Sequence, residues 1–513
     1  MPVLPRFRTG HSMSCISSAR HRRAPTLATL TTCLLWWAAA PWATAQSQDD
    51  TRRLLEQRDQ RQAMERERAL VQEPAAGERP TIVIDGTSYV VAPTANDVGR
   101  ALYLSLQNRQ WPAVQRFLTE YLTLPERDPL LVHYAQGAVA RNRGHYGDAE
   151  REYRALLALQ PDFLPGRLEL ARVLFEDQQD REAEQAFAAI AASIDAGDPR
   201  TEGVRNTIAG FRQALADRRD WNGTVALGPA WSDNVNRTSA SSTCLLPLEG
   251  RCYFSRSTPE AIVAFGTDYD ASAERRLPLR GHHGLYLRSL LFGQRYRDNS
   301  AYNELTALTQ AGYSYRSGRQ GLALAPSFDY YVLGNRALYG AWGLHAEWSC
   351  TLSPRSLLKL EGDWKDMRYR RRAYAASYDA IVRSASATYF RSLDARWTVF
   401  AGIDASDNAA VQDAEAYLQR GVRVGGSRQW EAGVNATVFA SYRQRDYGAY
   451  NAVLRARRHD AEQGYTLLLR APRLAIAGFV PLLTLRHNRV RSDVDWLYSY
   501  ERNTVSLKLE RAL

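Results

Sequence analysis

Lysine is almost missing from this 513-residue chain. It stands only at Lys359, Lys365 and Lys508, so the formal net charge of +11 rests on arginine. A basic chain raises the question of nucleic acid, but the arginines are spread along the sequence without forming a stripe, and no nucleic-acid motif accompanies them. No nucleic-acid partner is expected. Long apolar runs are missing too. Beyond the first 45 residues no segment approaches the ~18 apolar residues that a membrane helix needs, so any membrane domain must cross with strands closed into a barrel. Cysteine is scarce, with five in all. Signatures of catalysis are absent as well: there is no zinc-protease motif and no nucleophile elbow. His282 and His283 stand beside a turn, His345, His459 and His487 are isolated, and Asp404 with Asp407 or Asp493 with Asp495 read as solvated loop acids. No catalytic residue, metal or cofactor is expected.

What is present begins with a secretory signal. Arg20, His21, Arg22 and Arg23 form a basic n-region, Thr26–Ala40 an apolar h-region, and Ala43-Thr44-Ala45 a small-x-small cleavage site. Residues 1–45 are therefore read as a signal peptide. Cys15 and Cys33 leave with it, which leaves Cys244, Cys252 and Cys350 in the exported chain. In an oxidising compartment the spacing of Cys244 and Cys252 fits a disulfide across a long loop; the alternative is two free thiols. Residues 46–95 read as a linker or solvated helix rich in Gln, Arg and Glu, closing with a small hairpin about Asp85-Gly86.

From residue 96 to 220 the period is helical and repeats. Gly137, Tyr146, Ala149 and Tyr153 are followed, thirty-four residues on for the matching positions, by Ala171, Ala183 and Phe187. That is the tetratricopeptide period, in which small residues let two helices approach and large rings fill the space between hairpins. The segment predicts a short α-solenoid of the kind that grips peptides or partner proteins.

From Trp221 to Leu513 the period falls to two. Within 303–316, Leu305, Ala307, Ala311, Tyr313 and Tyr315 hold one parity, and Glu304, Thr306, Gln310, Ser314 and Arg316 the other. One face is greasy and the other wet. About fourteen such strands of roughly ten residues or more can be marked off, the length a tilted membrane strand requires. Tight connections are expected at 316–321, 353–354, 392–395, 427–429 and 471–473, and longer ones at 233–259, 371–377, 405–415, 446–458 and 489–495. Alternation of short and long connections is the habit of an outer-membrane barrel. Trp348, Trp364, Trp397, Trp430 and Trp496 read as residues of an interfacial girdle. The fold class is thus α+β and multidomain: an N-terminal tetratricopeptide-type solenoid followed by a C-terminal antiparallel transmembrane β-barrel. Asp233, Asn234 and Asn236, at the far end of the first strand, are candidates for the barrel mouth or seam, or simply good turn residues.

Two stretches carry a resemblance. Residues 228–237, Gly-Pro-Ala-Trp-Ser-Asp-Asn-Val-Asn-Arg, and the C-terminal segments Ser441–Tyr447, Leu485-Arg486-His487 and Tyr500-Glu501-Arg502-Asn503 are similar to signatures of the surface lipoprotein assembly modulator (Slam) family. The resemblance implies a tetratricopeptide domain in the periplasm, a fourteen-stranded barrel in the outer membrane, and the export of client surface lipoproteins or secreted proteins. It also implies dealings with outer-membrane lipids, the barrel assembly machinery and periplasmic chaperones. The competing reading is a channel for polysaccharide or small solutes with scaffold repeats. Against it stand the small number of repeats and the absence of any strand in which lumen acids concentrate.

Overall fold

The computed structural model describes residues 49–58, 83–84, 87–88, 91–195, 197–248, 251–431 and 433–513. Residues 1–45, read from the sequence as a signal peptide, and most of the 46–95 segment lie outside them; of the small hairpin, Val83↔Ser88 and Ile84↔Thr87 pair antiparallel.

Seven helices follow: α1 Ala95–Gln107, α2 Trp111–Tyr121, α3 Pro129–Asn142, α4 Tyr146–Leu159, α5 Leu164–Glu176, α6 Asp180–Ser193 and α7 Glu202–Arg219. Their starts are written locally. The Thr94 hydroxyl accepts from the Asp97 N–H at 3.2 Å ahead of α1, and the Asp128 carboxylate accepts from the Leu130 N–H at 2.9 Å ahead of α3, whose first residue is proline. Apolar positions close two cores. One joins Val98, Leu102, Val114 and Phe117 across α1–α3, and the other joins Ala171, Phe175, Ala183, Phe187 and Phe211 across α5–α7. Between them Ala149, Tyr153 and Val173 form a bridging cluster, with Gly137 against the Tyr153 ring. Phe187 and Phe211 stack with centroids 5.0 Å apart.

Only Asp220 and Trp221 separate α7 from the barrel. Its strands are β1 Asn222–Ser232, β2 Ala264–Pro278, β3 His283–Tyr296, β4 Glu304–Arg316, β5 Gln320–Leu333, β6 Arg336–Ser353 and β7 Ser356–Tyr369. The second half comprises β8 Ala380–Ser392, β9 Trp397–Ala410, β10 Tyr417–Gln429, β11 Asn435–Tyr447, β12 His459–Arg470, β13 Val480–Ser492 and β14 Tyr500–Ala512. Each pairs antiparallel with the next, and β14 pairs with β1 to close the ring. The wet parity of β4 is the buried one: Thr306, Gln310 and Ser314 point inward, and Tyr313 points out. Outward positions elsewhere carry Leu344, Ile403, Val422, Val424, Leu507 and Leu509, each more than half exposed. An apolar exterior around a polar interior is the layout of a barrel whose outer solvent is lipid. No described helix is long and apolar enough to cross a membrane.

One rim carries the connections at 279–282, 317–319, 354–355, 393–396, 430–434 and 471–479; the other carries 233–263, 297–303, 334–335, 370–379, 411–416, 448–458 and 493–499. The alternation has two exceptions. On the long-loop rim β5 turns into β6 through Gly334-Asn335 alone, both residues at positive φ (59° and 62°), the geometry of the tightest hairpin turn. On the short-turn rim, 471–479 is longer than the tight turn expected at 471–473. Pro472 opens a 3-10 turn, and a second reversal at Ala477-Gly478, also at positive φ, follows under an Ile476↔Phe479 bridge. Two expected turns also shift. Residues 427–429 still belong to β10, and 405–410 to β9.

The segment expected as a linker or solvated helix shows the largest difference, in its burial. Residues 49–58 form a helix inside the barrel, with Leu54, Leu55, Arg52 and Glu56 all buried.

Candidate functional site

The lumen wall is built from inward positions of strands that carry charge at most of their alternate residues. On β7 these are Lys359, Glu361, Asp363 and Lys365; on β2 they are Asp268, Asp270, Glu274 and Arg276. Acids are thus concentrated on particular lumen strands, contrary to the sequence reading. Bases answer them: Arg288 lies 2.8 Å from Glu274 and 3.3 Å from Glu347, and Lys365 lies 2.7 Å from Asp329. Asp404, expected as a solvated loop acid, faces inward from β9 and sits between Arg423 at 3.1 Å and Arg443 at 3.3 Å. Its neighbour of opposite parity by three positions, Asp407, stays at the exterior with Arg383.

The helix at 49–58 threads this wall. Asp50 meets Arg443 at 2.6 Å and the Ser441 hydroxyl at 3.0 Å. Arg52 reaches Asp363 at 3.7 Å and His345, and Arg53 reaches Glu361 and Ser386, each at 3.0 Å. Arg58 lies between Asp270 at 3.1 Å and Glu510 at 2.9 Å. Two apolar anchors alternate with these pairs. Leu54 packs on Phe400 and Phe439, and Leu55 on Leu290 and Phe292.

At the short-turn rim the helical domain is docked on the barrel by a second set of charges. The buried Asp180 of α6 joins Arg218 of α7 at 2.7 Å to Arg276 of β2 at 3.0 Å. Asp177 binds the His282 imidazole at 2.9 Å with one oxygen and accepts the Gly318 N–H at 3.0 Å with the other, while Glu182 accepts the Gly281 N–H at 2.9 Å. Asp177, accepting the imidazole's hydrogen bond, raises the His282 pKa above its ordinary value, against the opposing pull of burial. Gly318 is required here by close approach: a Cβ would fall 2.2 Å from the Tyr146 ring. Within the helical domain, burial pushes the Tyr134 hydroxyl up to about 12 and also raises that of Tyr153.

The structure places the sequence's candidate residues in three separate regions. Asp233 bridges the closing seam, where its carboxylate accepts from the Asn503 backbone at 2.7 Å and from the Asn503 side chain at 2.6 Å. Asn234 donates to the Glu501 and Thr238 carbonyls, each at 2.9 Å, and Asn236 pins the first long connection through Glu260 and Ile262. Cys244 and Cys252 are bonded, with Cα atoms 5.8 Å apart, across the two-stranded ribbon Ser242–Leu248/Arg251–Ser257 of that connection. Gly137, Ala149, Tyr153, Ala171, Ala183 and Phe187 lie inside the helical domain, and Tyr146 lines the cleft at the dock with Asp177, Ser317 and Arg319. Trp364, Trp397 and Trp430 are on the exterior, but Trp496 belongs to a loop helix, under the Arg256 guanidinium at 3.8 Å.

The description "Surface lipoprotein assembly modifier" matches residues 221–513, and its companion for N-terminal tetratricopeptide repeats matches residues 85–187. The chain belongs to the surface lipoprotein assembly modifier family. Among its relatives, the hemophilin secretion modulator of Acinetobacter baumannii is 38% identical over 445 residues, covering 84% of this chain and 88% of that protein. Surface lipoprotein assembly modifier 1 of Haemophilus influenzae is 24% identical over 420 residues, covering 80% and 84%. Its namesake in Neisseria meningitidis serogroup B is 23% identical over 433 residues, covering 83% and 85%. This is a family of secretion and assembly modulators built as an outer-membrane barrel with helical repeats in front.

Two groups of residues in this family member escaped the sequence reading: the lumen partners of residues 49–58, and the dock of Asp177, Asp180 and Glu182. A signal for the first existed. Lys359, Glu361, Asp363 and Lys365 share one parity, and four charges on one face of a strand ask for partners. For the dock only His282 beside its turn gave notice.

Proposed function

We propose that the chain is an outer-membrane translocon that delivers client surface lipoproteins or secreted proteins from the periplasm to the cell surface, with its helical domain on the periplasmic side. The observation that carries this reading is the dock. A repeat domain of the partner-gripping kind is fixed by the buried Asp180–Arg276 pair to the barrel's own β2, and a two-residue link holds it at the rim. Capture at that surface raises the local concentration of a client at the lumen entrance. The names of the relatives, a secretion modulator and lipoprotein assembly modifiers, support the same direction. Clients, outer-membrane lipids, the assembly machinery and chaperones are the partners this role calls for. A free solute channel fits less well, because the lumen is threaded by a helix held on several sides.

The experiment is surface exposure, by protease shaving or antibody on intact cells, of the protein encoded beside this gene, with and without this chain. Loss of exposure with the client retained intact inside the cell is expected. Unchanged exposure beside a correctly inserted barrel would reject the translocon.

A further inference from the structure

Residues 49–58 touch the lumen on nearly every side. Their partners come from β1 (Thr224), β2 (Asp270), β3 (Leu290, Phe292), β6 (His345), β7 (Lys359, Glu361, Asp363), β8 (Ser386), β9 (Phe400), β11 (Phe439, Ser441, Arg443) and β14 (Glu510). These contacts are side-chain chemistry: arginines against four acids, Asp50 against Arg443, Glu56 against Lys359, and two leucines against an apolar wall that includes Phe292, Phe400 and Phe439.

That wall differs from one made for water and small solutes. Phe400 and Phe439 point into the lumen and are almost fully covered, Phe439 to 1% exposure. In an open aqueous lumen they would be bare apolar surface, which is costly to hydrate. The acids that face the helix add a preference in charge. With the helix gone, Glu361 keeps Lys359 at 3.0 Å and Asp270 keeps Lys508, while each loses an arginine. A departing occupant is therefore best replaced by one that covers the phenylalanines and brings bases to these acids.

We infer that the lumen wall is a polypeptide-binding site, that residues 49–58 are its resident and displaceable ligand, and that a client segment alternating basic, acidic and leucine-like side chains takes the same positions during passage. The last clause rests on the translocon reading; the first two do not. Displacement then couples entry to opening, since another polypeptide can cover the phenylalanine pads and pair with the acids at once.

The test uses the full chain in planar lipid bilayers, where no client is needed. Deleting residues 49–58 is expected to raise single-channel conductance several-fold. A synthetic peptide of residues 49–58 added to that variant is expected to restore the block, and a peptide with every charge reversed is not. Should the deletion fail to insert, R52E/R53E leaves every strand intact and is expected to open the lumen by repulsion from Glu361 and Asp363. Unchanged conductance in an inserted variant, or equal block by both peptides, overturns the binding site. In cells, D50C/S441C should lock the helix across a contact of 3.0 Å, abolishing client exposure until a reductant is added. Normal export by the locked form, with the bilayer results intact, overturns the client's use of this site and leaves the translocon standing. Client exposure independent of the wild-type chain, with peptide block intact, removes the translocon and leaves the peptide site.

Discussion

The helical domain and the barrel are opposite answers to the same partition. In α1–α7 the side chains shut away from solvent are Leu102, Tyr153, Phe175, Phe187 and Leu215, and arginines such as Arg151 and Arg154 lie outside. In the barrel the largest fully buried side chains include Arg423 and Arg443, while Val422, Val424, Leu507 and Leu509 face outward. The chemistry of an interior is therefore set by what lies outside it. Water around the helices drives leucine in, and lipid around the strands lets leucine stay out and leaves charge for the lumen.

Substitutions that exchange the two rules sharpen this contrast. The largest effect should come from Phe187→Ala, which removes a ring stacked on Phe211 in the helical core and should cost ~3–5 kcal/mol. Limited proteolysis should then cleave α5–α7 while the heat-modifiable migration of the barrel is unchanged; a barrel that unfolds with the helices would show the two are one cooperative unit. Next comes Val422→Arg, on the outward face of β10, with an expected cost of ~2–4 kcal/mol in urea titrations of barrel in vesicles. Its counterpart Leu159→Arg, at the exposed end of α4, should stay within ~0.5 kcal/mol. Equal costs would break the comparison. The smallest effect lies at the dock. His282 has a raised pKa, so its contribution is complete below its ordinary value of 6.5 and is lost as pH climbs through the folded value. Amide exchange at Gly281 and Gly318, corrected for intrinsic rate, should quicken as pH rises above the ordinary value of 6.5 in the wild type. In His282→Asn the rates should be flat with pH; a slope that survives the substitution assigns the effect to another group.

How far the sequence could be read depends on the range of the interaction. The parity of β4 and the thirty-four-residue step from Tyr153 to Phe187 are local patterns, and both emerge in the fold where the period puts them. The turn at Gly334-Asn335 was also local, but it breaks the alternation of loop lengths and so was hidden by the very rule used to find the others. Residues 49–58 were not legible. Two leucines among charged residues describe a solvated helix until one knows that Arg53 answers Glu361 and Asp50 answers Arg443, partners that lie some hundreds of residues on. The same holds for Asp404, whose parity pointed inward while its neighbourhood of small and polar residues suggested a loop.

The seam has a consequence for how the ring comes to exist. Every other pairing in the barrel joins strands that are neighbours in sequence, whereas β14 meets β1 from almost the opposite end of the domain. Its register runs from Thr504↔Ser232 to Ser506↔Ala230, lapses opposite Gly228-Pro229, and resumes at Leu509↔Leu227. Proline contributes no N–H to a ladder, so the longest-range pairing is also the most sparsely bonded. Because non-local contacts wait on the entropy of loop closure, hairpins from β2 to β13 can form early and this pair last. Asp233, clasping Asn503, ties the two ends of the ring together at this sparsest of the pairings, giving it a side-chain clasp beside its backbone bonds.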